Sequence, residues 1–334
     1  MSAPAIPLGA RLRRSPGLVG LKREGAVAPV LAFVLFFVIY VAINPELLTR
    51  FQLQTAANLV APLALVALAQ LLIVLVGGID ISVAAVMSLT NVVFATQLES
   101  ASPLVAGVLA VAVGMGCGLF NGLLSAYGRL PVIAVTLASS FIFGALATEV
   151  LDRPGGAVSE GVTLATSGEL APYVPVALVW VLVAAALLWL LLQKTSLGRH
   201  IYGAGSNAEG MRAAGLNDRA AQLTAFVLAG GLVALGAILL AGSTATGDPK
   251  SGDPYLLNAI AAVALAGASF TGGRGSVVGT ICAAAILGLV GNVLFFAGVD
   301  SYWQYVVGSV IIVAVVGIPV VVRRLSARVK GASA

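Results

Sequence analysis

Apolar residues run along this chain in long unbroken blocks rather than in alternation. Ten stretches contain no Asp, Glu, Lys or Arg: residues 25–45, 51–79, 81–98, 100–128, 130–148, 170–193, 220–247, 254–273, 275–299 and 301–322. About 20 residues at 1.5 Å rise cross a hydrocarbon core about 30 Å thick, so each stretch predicts a membrane-spanning helix. A transmembrane barrel would show segments of about ten residues with alternating polarity, and these runs do not alternate. The pattern predicts an all-α polytopic membrane protein of about ten spans. Residues 25–322 read as a single transmembrane domain between two basic tails, 1–24 and 323–334. The longest connections are 149–171 and 194–221, too short to house a separate folded domain.

Charge gives the direction of threading. If the amino terminus is cytoplasmic and each run crosses once, 15 of the 18 Lys and Arg fall inside, and only Arg50, Arg153 and Lys250 fall outside. Lys/Arg bias in short loops sets orientation, and one miscounted span would destroy the asymmetry, so both termini are expected in the cytoplasm. With 60% hydrophobic and 9% charged residues, against about 25% charged in soluble proteins, a soluble enzyme is excluded. The net charge of +5 reads as topology and inner-leaflet contact, not as nucleic-acid binding. Arg13-Arg14 imitates a twin-arginine signal. The run 25–45 nevertheless has full span length and no small-x-small cleavage site, so it reads as a retained first helix.

Within the spans, Gly114, Gly118 and Gly122 keep the small-x-x-x-small spacing of close helix contacts and read as packing inside a bundle rather than as a dimer interface. Cys117 and Cys282 both fall in spans and read as two free thiols. Pro62 lies inside the second span, which predicts either a broken helix or a passive kink. Uncharged polar residues recur at membrane depth, and each must bond something other than lipid. They either tie helix to helix or line a route for a neutral, hydroxyl-rich solute; Gln70, Asn91, Asn121, Thr136 and Asn292 are the candidates for that route. No span centre carries Asp, Glu, Lys, Arg or His, which disfavours a proton-driven carrier.

Nothing in the sequence builds a nucleotide site or a catalytic set. A phosphate-cradling loop needs Gly before Lys and Ser/Thr after it, and none of the four lysines is preceded by Gly. Gly203-Ala204-Gly205-Ser206-Asn207-Ala208 imitates a dinucleotide fingerprint, but it sits between two spans with only Arg199–Tyr202 to offer as a strand. One histidine, His200, allows neither a transition-metal cluster nor a Ser/His/acid set. Residues 206–215 of the loop 194–221 read as a short helix, with Ser206 or Asn207 as amino cap, Glu209 in the first turn and Gly215 as the stop. Such a helix is either gripped by a cytosolic partner or rests on lipid headgroups.

Four ordered segments resemble the permease subunits of bacterial ATP-binding-cassette importers for monosaccharides such as ribose, xylose, arabinose and galactose. They are Gly77-Gly78-Ile79-Asp80-Ile81-Ser82-Val83; Gly118-Leu119-Phe120-Asn121-Gly122 with Leu130-Pro131 and Val135-Thr136-Leu137; Thr195 to Tyr202 with Gly205, Asn207 and Gly215; and Gly267-Ala268-Ser269-Phe270-Thr271-Gly272-Gly273-Arg274-Gly275-Ser276. The likeness covers roughly residues 25–322. Gly210-Met211 depart from the family's paired alanines, Ala266-Gly267 from a common Gly-Gly, and Ala84-Ala85 from a frequent Gly-Ser. The resemblance implies a multi-pass protein of the bacterial inner membrane and a complex. In it would stand two permease chains (a homodimer if the second is identical), two cytosolic ATPase domains that bind ATP and Mg, and a periplasmic solute-binding protein, with no cofactor in this chain. Loop 194–221 would be the coupling segment, with Arg199, Asn207, Glu209 and Gly215 at the matched positions. Gly77, Gly78, Asp80, Ser82, Gly272, Gly273 and Gly275 would form the motif turns.

Overall fold

The computed structural model describes residues 26–300 together with Trp303, Val306, Val307 and Val310. The tails 1–24 and 323–334 lie outside the described residues, as does most of the run 301–322. The helices are α1 (Val27–Ile43), α2 (Arg50–Leu75), α3 (Val83–Gln97), α4 (Pro103–Gly122), α5 (Val132–Val150), α6 (Glu160–Ser167), α7 (Val176–Lys194), α8 (Ser196–Ser206), α9 (Ala208–Ala213), α10 (Asp218–Thr244), α11 (Tyr255–Leu265) and α12 (Val277–Phe296). Between α6 and α7 a small antiparallel pair forms, β1 (Glu169–Ala171) with β2 (Val174–Pro175). Among the described residues, six helices are long and apolar enough to cross a membrane: α2, α4 with its continuation to Tyr127, α5, α7, α10 and α12. The runs 25–45, 81–98 and 254–273 form shorter apolar helices, α1, α3 and α11.

The second run becomes the axis of the bundle. Every residue of α2 from Ala61 to Leu75 is buried, with α7, α10, α11 and α12 packed around it, as expected of a helix that is apolar on all faces. Pro62 does not break it, and α2 is one helix from Arg50 to Leu75. The glycine spacing of α4 serves contact within the chain. A Cβ on Gly114 would stand 2.5 Å from the Gly230 carbonyl oxygen of α10, Gly118 abuts the Phe226 carbonyl, and Gly122 meets Leu223. Removing three side chains lets the α4 and α10 backbones approach closely. Cys117 and Cys282 are both free thiols.

Candidate functional site at the loop end of the bundle

α2 ends at Leu75, and residues 76–82 turn the chain back into the bundle. Gly77 takes φ +85°, a left-handed value that glycine adopts without a Cβ penalty. Asp80 then closes a local turn: the Ser82 N–H donates to Asp80 Oδ1 at 2.7 Å and the Ser82 hydroxyl donates to the same atom at 2.6 Å. Asn121 Nδ2, at the end of α4, donates to Ser82 Oγ at 2.8 Å. The Ile81 N–H donates to Thr136 Oγ1 of α5 at 3.2 Å. With its amide oriented to match, Gln70 donates to the Asp80 carbonyl and accepts the Asp80 N–H, both at 3.2 Å. Buried irregular backbone must find partners within the protein, and three helices supply them here.

Three of the five residues singled out as candidate route-lining groups, Gln70, Asn121 and Thr136, thus converge on one turn and are at most 1% exposed. The fourth, Asn91, is buried in α3; its Nδ2 donates to the Ala237 carbonyl of α10 at 3.1 Å and its Oδ1 accepts the Asp248 N–H at 2.8 Å. Asn292 lies apart from these, half-buried on α12 beside Tyr40 of α1.

The loop 194–221 folds as two helices. Thr195 caps α8, its hydroxyl oxygen accepting the Gly198 N–H at 3.2 Å. Asn207 caps α9, its Oδ1 accepting the Gly210 N–H at 2.8 Å. Glu209 stands in the first turn of α9 and Arg212 in its last, each at the end of the dipole that favours its charge. Gly215 stops the helix at φ +73°, where the Leu216 N–H donates to the Met211 carbonyl at 2.9 Å. Arg199, Asn207, Glu209 and Gly215 are all exposed, whereas Met211 is buried against Gly203. α9 is therefore a charged foot held by one apolar anchor. Residues 199–202, the one stretch that could have served as a strand ahead of Gly203–Ala208, are helical within α8.

α8 joins the loop to the core. A Cβ on Gly205 would stand 2.7 Å from the Gly273 nitrogen and 2.9 Å from the Gly272 Cα, and closer still to the Leu75 carbonyl oxygen at the end of α2. Gly272 and Gly273 take φ +92° and +73°, and the Gly273 N–H donates to that Leu75 carbonyl at 2.9 Å. The Tyr202 hydroxyl donates to the Gly275 carbonyl at 3.2 Å. Gly275 itself packs on Leu71 and Leu75. The loop 194–221, the end of α2 and the glycine turn after α11 therefore meet at one junction, and at Gly205 the nearest neighbours are all backbone. The family resemblance marked these glycines as motif turns, but the contact of Gly273 with Leu75 and that of Gly272 with Gly205 join distant positions and have no local signature.

A family model described as "Branched-chain amino acid transport system / permease component" matches residues 52–316. The ribose import permease protein of Bacillus subtilis (strain 168) is 32% identical, over 86% of this chain and 91% of its own. That of Escherichia coli (strain K12) is 31% identical over the same shares. The fructose import permease protein of Rhizobium meliloti is 29% identical over 92% of this chain and 88% of its own. With the run pattern, the motif turns and these matches together, the chain belongs to this family of ABC-transporter import permeases, as a membrane-embedded transport component rather than an enzyme.

Proposed function

We propose that this chain is the translocating subunit of an ATP-driven monosaccharide importer of a bacterial inner membrane. In this reading it spans the bilayer ten times with both termini in the cytosol, and it pairs with a second permease chain. Two cytosolic ATPase domains bind ATP and Mg and seat α9, and a periplasmic binding protein delivers the sugar at the opposite face. The chain itself carries no cofactor.

The observation that carries this reading is the junction of Gly205 with Leu75, Gly272 and Gly273. A partner that moves the exposed foot α9 moves α8 with it, and α8 cannot shift without displacing the ends of α2 and of the segment after α11. Two states of the bundle are then biased from the cytosolic side, as a ligand with differential affinity biases an equilibrium. In this frame Gln70, Asn121 and Thr136 hold the moving turn in shape, and Asn91 ties α3 to α10. Sugar as cargo rests on the relatives' names and on the uncharged span interiors. The test is accumulation of labelled D-ribose, D-fructose and D-galactose by cells with and without the chain. Loss of at least one on deletion, restored by the intact gene, supports the reading; unchanged accumulation of all three removes it.

A further inference from the structure

Residues 245–254 turn back into the bundle after α10 instead of leaving it. The Asp248 N–H donates to Asn91 Oδ1 at 2.8 Å and the Gly252 N–H donates to Ser88 Oγ at 3.0 Å, both on α3. Gly252 lies directly on the Ala84 backbone, where a Cβ has no room. α11 then has only 11 residues, about 16 Å of helix, which is roughly half of a bilayer core. It runs toward the glycine turn at 267–275, which the proposed threading puts at the cytosolic face, and in that threading its first turn stands near mid-depth. Irregular backbone at that depth persists only when buried in protein or lining a wet cavity.

Here it does line a cavity, of about 400 Å³. Thr246, Asp248, Ser251, Tyr255 and Asn258 face it from one side, Leu63 and Leu287 from the other. Asp248 spends Oδ1 on the Lys250 N–H, and Asn258 spends Nδ2 on the Pro254 carbonyl. Asp248 Oδ2 and Asn258 Oδ1 remain as acceptors. Ser251 Oγ is sealed by surrounding atoms and has no hydrogen-bond partner among the described residues. Among the described residues no Lys, Arg or His lines the space, so they offer a carboxylate or phosphate no counter-charge there. A larger cavity of about 730 Å³ between α4, α6, α7 and α10 is lined almost wholly by apolar side chains and offers hydroxyl groups nothing comparable.

We propose that the mid-depth cavity at the head of α11 is a subsite for a neutral, hydroxyl-rich solute, held within one chain on its way across. Hydroxyl donors meet Asp248 and Asn258, Tyr255 supplies a donor of its own, and the leucine wall receives the C–H face. The proposal rests on the sugar-import reading. The experiment is saturation-transfer NMR on the purified full chain in lipid nanodiscs, with D-ribose, D-fructose and D-galactose as probes. At least one binds, and Tyr255→Phe raises its Kd about tenfold, the loss of one hydrogen bond, whereas Ser251→Ala, whose hydroxyl is sealed from the cavity, leaves it unchanged. Ser251→Ala melts no lower than the wild type, because the hydroxyl it deletes has no hydrogen-bond partner among the described residues. Wild-type Kd in Tyr255→Phe, or no binding by the wild type, overturns the subsite. Uptake by the complete importer separates the two claims. Import without binding in the cavity removes the subsite alone, whereas import of none of the three sugars removes the monosaccharide reading and the subsite with it.

Discussion

Gly205→Ala tests the junction directly. The added methyl would stand 2.7 Å from the Gly273 nitrogen and 2.9 Å from the Gly272 Cα, below the 3.0 Å that real Cβ atoms observe, and it would crowd the Leu75 carbonyl more severely. All the neighbours are backbone, so no rotamer change relieves the contact. Either α8 moves off the core or the Gly273-to-Leu75 hydrogen bond opens. Overpacking of this kind costs about 1–3 kcal/mol, and the bond adds about 1 kcal/mol. A cost of about 2 kcal/mol confined to one of the two states of the bundle is a factor of about 30 in their equilibrium. The variant is predicted to insert and to retain the ATPase subunits, since α9 and its cap are untouched, but to lose sugar uptake by roughly that factor. The assay is uptake by the reconstituted importer, with co-purification of the ATPase as the docking control. Gly116→Ala, which meets nothing within 4 Å, serves as the neutral comparison. Wild-type uptake by Gly205→Ala, with normal docking, would refute transmission through this contact.

Further outcomes follow from the same geometry. Asn207→Ala removes the α9 cap and costs that helix about 1 kcal/mol, read as faster proteolytic nicking of the loop and weaker ATPase retention. Glu209→Arg reverses charge on the exposed foot and is expected to abolish ATPase docking and uptake while membrane insertion stays normal; full uptake would unseat α9 as the docking element. Gly118→Leu forces α4 away from the Phe226 carbonyl of α10 and should lower the melting temperature of the detergent-solubilised chain, by about 1–3 kcal/mol in stability. Arg50→Ala removes an ion pair with Glu169 whose arginine side chain is 55% exposed, so the melting temperature should hardly change.

Most of the architecture was legible because membrane burial leaves a simple trace. A charge-free run long enough to cross the bilayer has nowhere else to go, and the runs at 51–79, 100–128, 130–148, 170–193, 220–247 and 275–299 all hold long helices. The α9 foot was legible too, since an Asn cap, an early acid and a left-handed glycine act within ten residues of one another. Three features were not. The run 254–273 looked like a full span, yet only Tyr255–Leu265 is helical: the helix starts with the run, directly after Pro254, and Gly267, at φ +75°, ends it early. Gln70, Asn121 and Thr136 are polar residues at membrane depth, and composition alone does not distinguish a group facing a route from one bonded to a buried turn. The Gly205 junction joins residues from three distant segments, and backbone contact of that kind leaves no periodicity to read.

The central claim is that the chain provides a passage through the bilayer while its power arrives through α8 and α9. The most direct measurement is sugar accumulation against ATP consumption in proteoliposomes holding the purified chain alone, then with its ATPase and binding protein added. The account predicts neither accumulation nor hydrolysis from the chain alone, and ATP-dependent accumulation from the complete assembly that Gly205→Ala uncouples. Uphill transport or ATP hydrolysis by the chain alone would contradict it.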